Sequence, residues 1–171
     1  MTKYLAAAVA SAAIALSAAP ASSQTAAPAP MPARDADYHN RQHAFLYGLS
    51  AADGWSSTAS GLRYRRTGGT ATGPRPSATD TVTIHYVGRF IDGTQFDSSV
   101  ARGEPATFPL PRLILGWQEG VPLMQVGETY EFAIPAPLAY GYAGRNTIPG
   151  GATLLFTIEL LAVPSAAAQA N

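Results

Sequence analysis

Alternation of apolar and polar positions is strongest in the middle of the chain. Within residues 81–90, apolar Val82, Ile84 and Tyr86 alternate with polar residues at 81, 83 and 85, which is the period of a strand with one buried face. Asp92-Gly93 follows directly, a pair typical of a tight hairpin turn. The pattern therefore predicts a hairpin whose second strand covers residues 94–97.

The same reading extends the sheet on both sides of this hairpin. Leu62 and Tyr64 alternate with arginines, and residues 128–135 and 152–163 are further strand candidates. A brief helix is predicted over 117–121, while residues 98–112 are mostly loop with a short strand near Phe108. Several strands with one short helix predict an α+β domain over residues 58–164.

The residues before this domain carry different patterns. A positive charge in the first four residues, an apolar run over 5–19 and Ala19-Pro20-Ala21 are typical of a secretory signal. The run is shorter than the ~20 residues that cross a bilayer. We therefore expect residues 1–21 to be cleaved near Ala21, with export to the periplasm or beyond and no stable membrane insertion afterwards.

A polar lead-in is predicted over residues 22–57. Its first part is rich in Ala, Pro, Ser and Gln, a composition that cannot bury a core and is expected to be flexible. Residues 37–50 could form a short surface helix with Phe45, Leu46 and Leu49 as an apolar stripe. The small, polar residues 165–171 are predicted to be a disordered tail.

Charge and composition remove several function classes. Lys plus Arg is 11 and Asp plus Glu is 11 among 171 residues, so no long-range field attracts a nucleic acid. The chain has no cysteine, which removes disulfides, thiolate catalysis and cysteine metal sites. His39 and His43 have the spacing of a metal pair, but no third ligand is in view. We expect no metal and no cofactor.

Conventional catalytic motifs are also missing. The sequence holds no nucleophile elbow, phosphate loop or dinucleotide fingerprint. His85, on the polar face of its strand, is interpreted as an edge histidine. The acid of interest is Asp97, which directly follows Phe96 at a strand end, although alone it could be a loop aspartate.

A set of large apolar residues stands beside loops rich in glycine and proline. Core packing explains most such sets, but an apolar pocket rimmed by loops is the usual form of a binding site. The members are Tyr86, Phe96, Phe108, Leu113, Ile114, Trp117, Tyr140, Ile148 and Phe156.

Five sequence blocks, in order and register, resemble the FKBP family of peptidyl-prolyl cis–trans isomerases. They span about a hundred residues, so the resemblance is specific although each block alone would be weak. The blocks are Ile84-His85-Tyr86-Val87-Gly88 with Asp92-Gly93-Thr94-Gln95-Phe96-Asp97-Ser98-Ser99; Ile114-Leu115-Gly116-Trp117-Gln118-Glu119-Gly120-Val121 with Met124 and Val126-Gly127; Leu138-Ala139-Tyr140-Gly141; Ile148-Pro149; and Ala152-Thr153-Leu154-Leu155-Phe156 with Glu159-Leu160-Leu161.

The resemblance implies a twisted antiparallel half-barrel wrapped around one short α-helix, with Trp117 as the floor of a pocket. It implies catalytic roles for Asp97, Tyr140, Tyr86 and Trp117, and a ligand-facing N–H at Ile114. The walls that it implies for substrate binding are Phe96, Phe108, Leu113, Ile114, Ile148 and Phe156.

The implied partners are unfolded or partly folded polypeptides that contain proline, and macrolide inhibitors of the FK/rapamycin type. We expect a monomer that assists the folding of exported proteins. Two alternatives remain: a periplasmic chaperone that shields apolar segments, and a non-catalytic FKBP-like binding module. Residues 142–147 leave no room for an inserted chaperone domain, and the retained pocket residues argue against the binding module.

Overall fold

The computed structural model describes residues 36–164. The predicted signal peptide, the lead-in before residue 36 and the predicted tail after residue 164 lie outside the described residues. Three helices and seven strands form in this part of the chain: α1 Ala36–Gly48, β1 Ser56–Ser57, β2 Arg63–Gly69, β3 Thr81–Phe90, β4 Gln95–Ser98, α2 Ser99–Arg102, β5 Ala106–Pro109, α3 Leu115–Gly120, β6 Glu128–Ile134 and β7 Leu154–Ala162. Short 3₁₀ turns connect several of them.

The strands form one antiparallel sheet. Its order is β1-β2-β6-β7-β3-β4. Strand β5 also pairs with β3, on the same edge as β4 but with an earlier part of the strand. All of these pairings are antiparallel. Strands of one sheet with a few short helices confirm the α+β class.

The core lies between one face of this sheet and α3. Along β3 the side chains alternate between buried and partly exposed, so Val82, Ile84 and Tyr86 point inward, as the period of two predicts. Gly116 of α3 lies so close to β6 that a Cβ there would overlap the side chain of Ile134. The short helix therefore sits directly on the sheet, as expected from the resemblance.

The outer edge of β3 has a gap that matters for the site. β5 pairs with residues 81–84 of β3 and β4 with residues 87–89. Between them the fully buried hydroxyl of Ser99 accepts a hydrogen bond from the Tyr86 N–H at 2.8 Å. A side chain from α2 thus satisfies the backbone where the ladder is interrupted, as buried N–H groups require.

Helix α1 covers most of the range predicted for a helix, and it contacts the sheet through a polar residue. Gln42 is the buried residue of α1, and its side-chain oxygen accepts a hydrogen bond from the buried Thr153 N–H at 2.8 Å. The apolar stripe expected from Phe45, Leu46 and Leu49 is only partly buried, and Leu49 lies beyond the helix.

Two elements were not predicted from the sequence. β1 pairs with β2, and α2 occupies four residues of the segment interpreted as loop. In residues 36–164 no helix has the length and apolar character needed to cross a bilayer.

Candidate active site

The floor of the candidate site is the indole of Trp117, which is only 3% exposed. It projects from α3, and three aromatic rings from the sheet surround it. Phe156 lies 5.0 Å from it and Tyr86 5.3 Å, both edge to face, and Phe108 lies 6.3 Å away. Edge-to-face contacts at these separations are favourable, so the floor is rigid and apolar.

One wall depends on a residue without a side chain. A Cβ at Gly88 would lie 2.7 Å from Phe96 and 2.8 Å from Phe156. Glycine at this position of β3 thus allows both rings to lie against the strand backbone. The centres of the Phe96 and Phe156 rings are 5.6 Å apart. This close approach carries Phe96, and with it Asp97, to the pocket edge.

The opposite wall is a loop that closes on itself. The Arg145 N–H donates to the Ile148 carbonyl at 3.0 Å, and the Ile148 N–H donates back to Arg145 at 2.8 Å. Asn146 between them has a positive φ of 51°, which asparagine tolerates better than most residues. The turn holds Ile148, 8% exposed, in the pocket wall.

The polar part of the site is a three-residue network at one side of the rim. The Tyr86 hydroxyl donates to Asp97 Oδ2 at 2.6 Å. Arg102 donates to Asp97 Oδ1 at 2.5 Å and to the Tyr86 hydroxyl at 2.9 Å. The Ser98 N–H also donates to Asp97 Oδ1, at 2.8 Å, while the hydroxyl of Ser98 caps α2.

These contacts fix the charge state of the network. Burial raises the pKa of the Tyr86 hydroxyl, and its hydrogen bond to Asp97 raises it further. Burial alone would raise the pKa of Asp97, but hydrogen bonds from Tyr86 and Arg102 outweigh it and leave the pKa below its ordinary value. Asp97 is therefore a carboxylate and Tyr86 a neutral phenol at neutral pH.

Two other donors on lining residues have no protein partner. Within residues 36–164, the Tyr140 hydroxyl and the Ile114 N–H have no hydrogen-bond acceptor. The indole N–H of Trp117 also lacks an acceptor in this range, but it is buried beneath the cavity floor. The Tyr140 hydroxyl and the Ile114 N–H are therefore the donors available to the carbonyl groups of a bound chain.

All ten residues predicted for the site line one cavity of about 650 Å³, within the usual size of ligand sites. Their roles in binding and catalysis stay predictions. The lining is Tyr86, Phe96, Asp97, Phe108, Arg112, Leu113, Ile114, Trp117, Ala139, Tyr140, Arg145, Asn146, Thr147, Ile148 and Phe156.

Five of these lining residues and the partner of Asp97 are not predicted from the sequence. Arg112, Ala139, Arg145, Asn146 and Thr147 were not predicted, and neither was the role of Arg102. A signal for Arg102 existed: Ser98 and Gly103 bracket a helical turn as cap and left-handed terminator. That turn brings Arg102 back towards Asp97.

Between residues 36 and 164 no three His, Cys, Asp or Glu side chains group closely enough to hold an ion. His39 packs edge to face on Tyr142 at 5.8 Å. The site is an apolar cavity with open hydrogen-bond donors at its edge. An apolar ring could fill the cavity while the peptide carbonyl groups on either side of the ring accept from the donors.

Comparison with known proteins points to one family. Residues 73–161 match the family model described as FKBP-type peptidyl-prolyl cis-trans isomerase. An FKBP-type peptidyl-prolyl cis-trans isomerase FkpA of Aeromonas hydrophila is 50% identical over 127 residues, which are 74% of this chain and 47% of that relative. The FKBP-type 22 kDa peptidyl-prolyl cis-trans isomerase of Escherichia coli K12 is 50% identical over 112 residues, 65% of this chain and 54% of the relative. The chain thus spans about half the length of these curated relatives.

Solved structures agree with the fold. The crystal structure of FkpA from Escherichia coli matches with a TM-score of 0.71 at 38% identity, covering 75% of this chain and 60% of that one. A peptidyl-prolyl cis-trans isomerase from Pseudomonas syringae pv. tomato matches with a TM-score of 0.69 at 33% identity, covering 75% and 96%. The family match, the identities and the shared fold establish that this chain belongs to the FKBP-type peptidyl-prolyl cis–trans isomerases.

Proposed function

We propose that this chain catalyses the cis–trans isomerisation of X–Pro peptide bonds. The observation that carries the proposal is the cavity itself: a buried indole floor, largely aromatic walls, and the open Ile114 N–H and Tyr140 hydroxyl. A proline ring is compact and apolar and fits such a floor, while the carbonyl groups on either side can accept from the donors.

The physics of the reaction suits a pocket of this kind. Rotation about the amide has a barrier of ~18–20 kcal/mol because the planar form is stabilised by resonance. In the twisted transition state the carbonyl is less polar than in the planar amide, so an apolar pocket disfavours the transition state less than the ground state. Each 1.36 kcal/mol of such preference gives about a tenfold rate, and no bond is made or broken.

The proposed roles follow the positions of the side chains. Trp117 supports the proline ring from below, and the six wall residues predicted from the sequence enclose it. The Tyr140 hydroxyl and the Ile114 N–H donate to substrate carbonyls. Asp97, oriented by Tyr86, provides a fixed negative charge beside the rotating amide.

The proposed substrates are unfolded or partly folded polypeptides that expose proline. Macrolides of the FK/rapamycin type are proposed ligands of the same cavity. We further propose that the protein is exported through its N-terminal signal and acts on exported chains as a monomer. The charged head, the apolar run and the Ala19-Pro20-Ala21 site support export, which N-terminal sequencing of the mature protein tests.

A protease-coupled isomerisation assay tests the proposed activity. We expect the purified chain to accelerate isomerisation of a neutral X–Pro tetrapeptide, and rapamycin to suppress that acceleration. Trp117→Leu is the matched variant, since it keeps an apolar floor but changes its shape, and circular dichroism checks its fold. A folded chain that leaves the uncatalysed rate unchanged would overturn the proposal.

A further inference from the structure

The charged residues around the mouth of the cavity are unequally paired. Asp97, Arg112 and Arg145 are the lining residues that carry charge. The negative charge of Asp97 is already met by Arg102, which lies outside the lining. Arg112 and Arg145 form no ion pair with any residue between 36 and 164. The mouth therefore presents two exposed guanidinium groups without a carboxylate partner.

Arg145 is held in place by the turn that also holds the pocket wall. Its backbone exchanges two hydrogen bonds with Ile148, and its guanidinium carbon lies 6.0 Å from the centre of the Tyr140 ring. This contact is at the outer limit of a cation–π interaction. The cation thus lies near the ring whose hydroxyl is proposed to bind a substrate carbonyl.

Arg112 approaches the cavity from the side of α3. It is the last residue of the 3₁₀ turn Leu110–Arg112 and directly precedes Leu113 and Ile114, both of which line the cavity. The 3₁₀ turn is closed by the Leu113 N–H, which donates to Leu110 at 3.0 Å. The two cations therefore stand on separate wall segments of one cavity.

We propose that Arg112 and Arg145 make this pocket select X–Pro segments that carry an acidic side chain next to the X–Pro pair. The inference rests on the proposed isomerase function and names a substrate class for it. A bound proline places the residues before X and after Pro at the mouth, where a Glu or Asp side chain meets an unpaired guanidinium. Arginine suits this role because its planar fork binds a carboxylate through two parallel hydrogen bonds.

The expected effect is modest because the arginines are exposed. Ion pairs of this kind are weak in water, so we expect about a twofold to fivefold preference for Glu over Gln. Lys at the same position is repelled, so the ratio of Glu to Lys in kcat/KM should reach about threefold to tenfold. Added salt should reduce this ratio, because dissolved ions screen the attraction between exposed charges; the Debye length is ~10 Å at 0.1 M ionic strength and shortens as salt is added.

The test uses the purified full chain and two series of X–Pro peptides. In one series the residue before X is Glu, Gln or Lys, and in the other the residue after proline is varied in the same way. The measured quantity is the Glu-to-Lys ratio of kcat/KM for wild type, Arg112→Gln, Arg145→Gln and the double variant. Using a ratio removes any general loss of activity in a variant. Arg89→Gln is the charge-matched control, because Arg89 is exposed and outside the cavity lining.

The results separate this inference from the proposed function. We expect a ratio above about threefold in at least one series, a fall towards one in the double variant, and no change in Arg89→Gln. A ratio near one in both series, or one that survives in the double variant, overturns the inference while activity on the Gln peptides leaves the isomerase function standing. Absence of activity on every peptide overturns both.

Discussion

Asp97 has more hydrogen-bond partners than a loop aspartate that only closes its own turn. Its carboxylate accepts hydrogen bonds from the Tyr86 hydroxyl, Arg102 and the Ser98 N–H. The cap of α2 is provided by Ser98, so capping does not explain the acid. The network gives Asp97 a fixed orientation and a fixed charge at the edge of the cavity.

Asp97→Asn should lower stability at neutral pH and have little effect in acid. The folded pKa of Asp97 lies below its ordinary value of 3.8, so its carboxylate stabilises the fold above that pH. The contribution is lost as pH falls through the lower, folded pKa. Because the side chain is 43% exposed, we expect less than about 1 kcal/mol.

Chemical unfolding of wild type and Asp97→Asn across pH 2.5–7 measures this difference. Glu104→Gln serves as the control, because Glu104 is exposed and has no ion pair within residues 36–164. If the difference in unfolding free energy between wild type and Asp97→Asn grew as the pH fell, the predicted role of the Asp97 carboxylate would be wrong.

Tyr140→Phe isolates a single hydroxyl at the rim. One neutral hydrogen bond is worth ~0.5–1.5 kcal/mol net, so kcat/KM should fall by no more than about tenfold with an unchanged melting temperature. Asp97→Leu should lower activity further and also weaken macrolide binding, because it removes a charge-assisted network. Steady-state kinetics and rapamycin titration compare the two variants, and a larger loss in Tyr140→Phe would reverse the assigned roles.

Among the elements, contact between α3 and β6 places the pocket floor. Gly116→Ala should destabilise the protein by about 1–3 kcal/mol, the usual effect of overpacking, because the new methyl group overlaps Ile134. Gly48→Ala is the matched control, since Gly48 ends α1 with open space around it. Thermal unfolding checks both, and equal melting temperatures for the two variants would show that the helix can move off the sheet.

The elements also show what the sequence could and could not predict. β3 was predicted with the bounds that the structure has, because one buried face imposes a period of two. The order of the five blocks identified the family, and the blocks contain eight of the ten predicted residues that line the cavity. The other two, Phe108 and Leu113, lie between blocks. α2 was missed because four residues carry no periodicity, and Arg102 was missed with it. The burial of Gln42 depends on a long-range partner, Thr153, which no local pattern reveals.

At the scale of the whole molecule, the predicted start of the domain at residue 58 can be tested with a fragment. We predict that residues 58–164 fold and isomerise without α1, because the cavity lining lies entirely within that range. The fragment should melt below the full chain, since it lacks the bond from the Thr153 N–H to Gln42. Activity and thermal unfolding of fragment and full chain measure this, and an unfolded fragment would make α1 part of the domain.

A point variant in the full chain measures what the hydrogen bond between Gln42 and the Thr153 N–H contributes to stability, apart from the other contacts of α1. Gln42→Ala leaves the Thr153 N–H, in a residue that is 1% exposed, without its acceptor. An unsatisfied buried donor costs about 1–3 kcal/mol. Asn40→Ala, at an exposed neighbour on the same helix, should leave the unfolding free energy unchanged.

The pH dependence of catalysis tests most directly whether the site works as an apolar pocket rather than by proton transfer. The pKa of Asp97 lies below its ordinary range and that of Tyr86 above it, so neither group titrates between pH 6 and 8. A protease-free solvent-jump assay on a neutral X–Pro peptide gives kcat/KM at each pH, with the uncatalysed rate subtracted. We predict a clear acceleration that stays nearly flat from pH 6 to 8. A bell-shaped profile centred near neutrality, or no acceleration at any pH, would contradict the account.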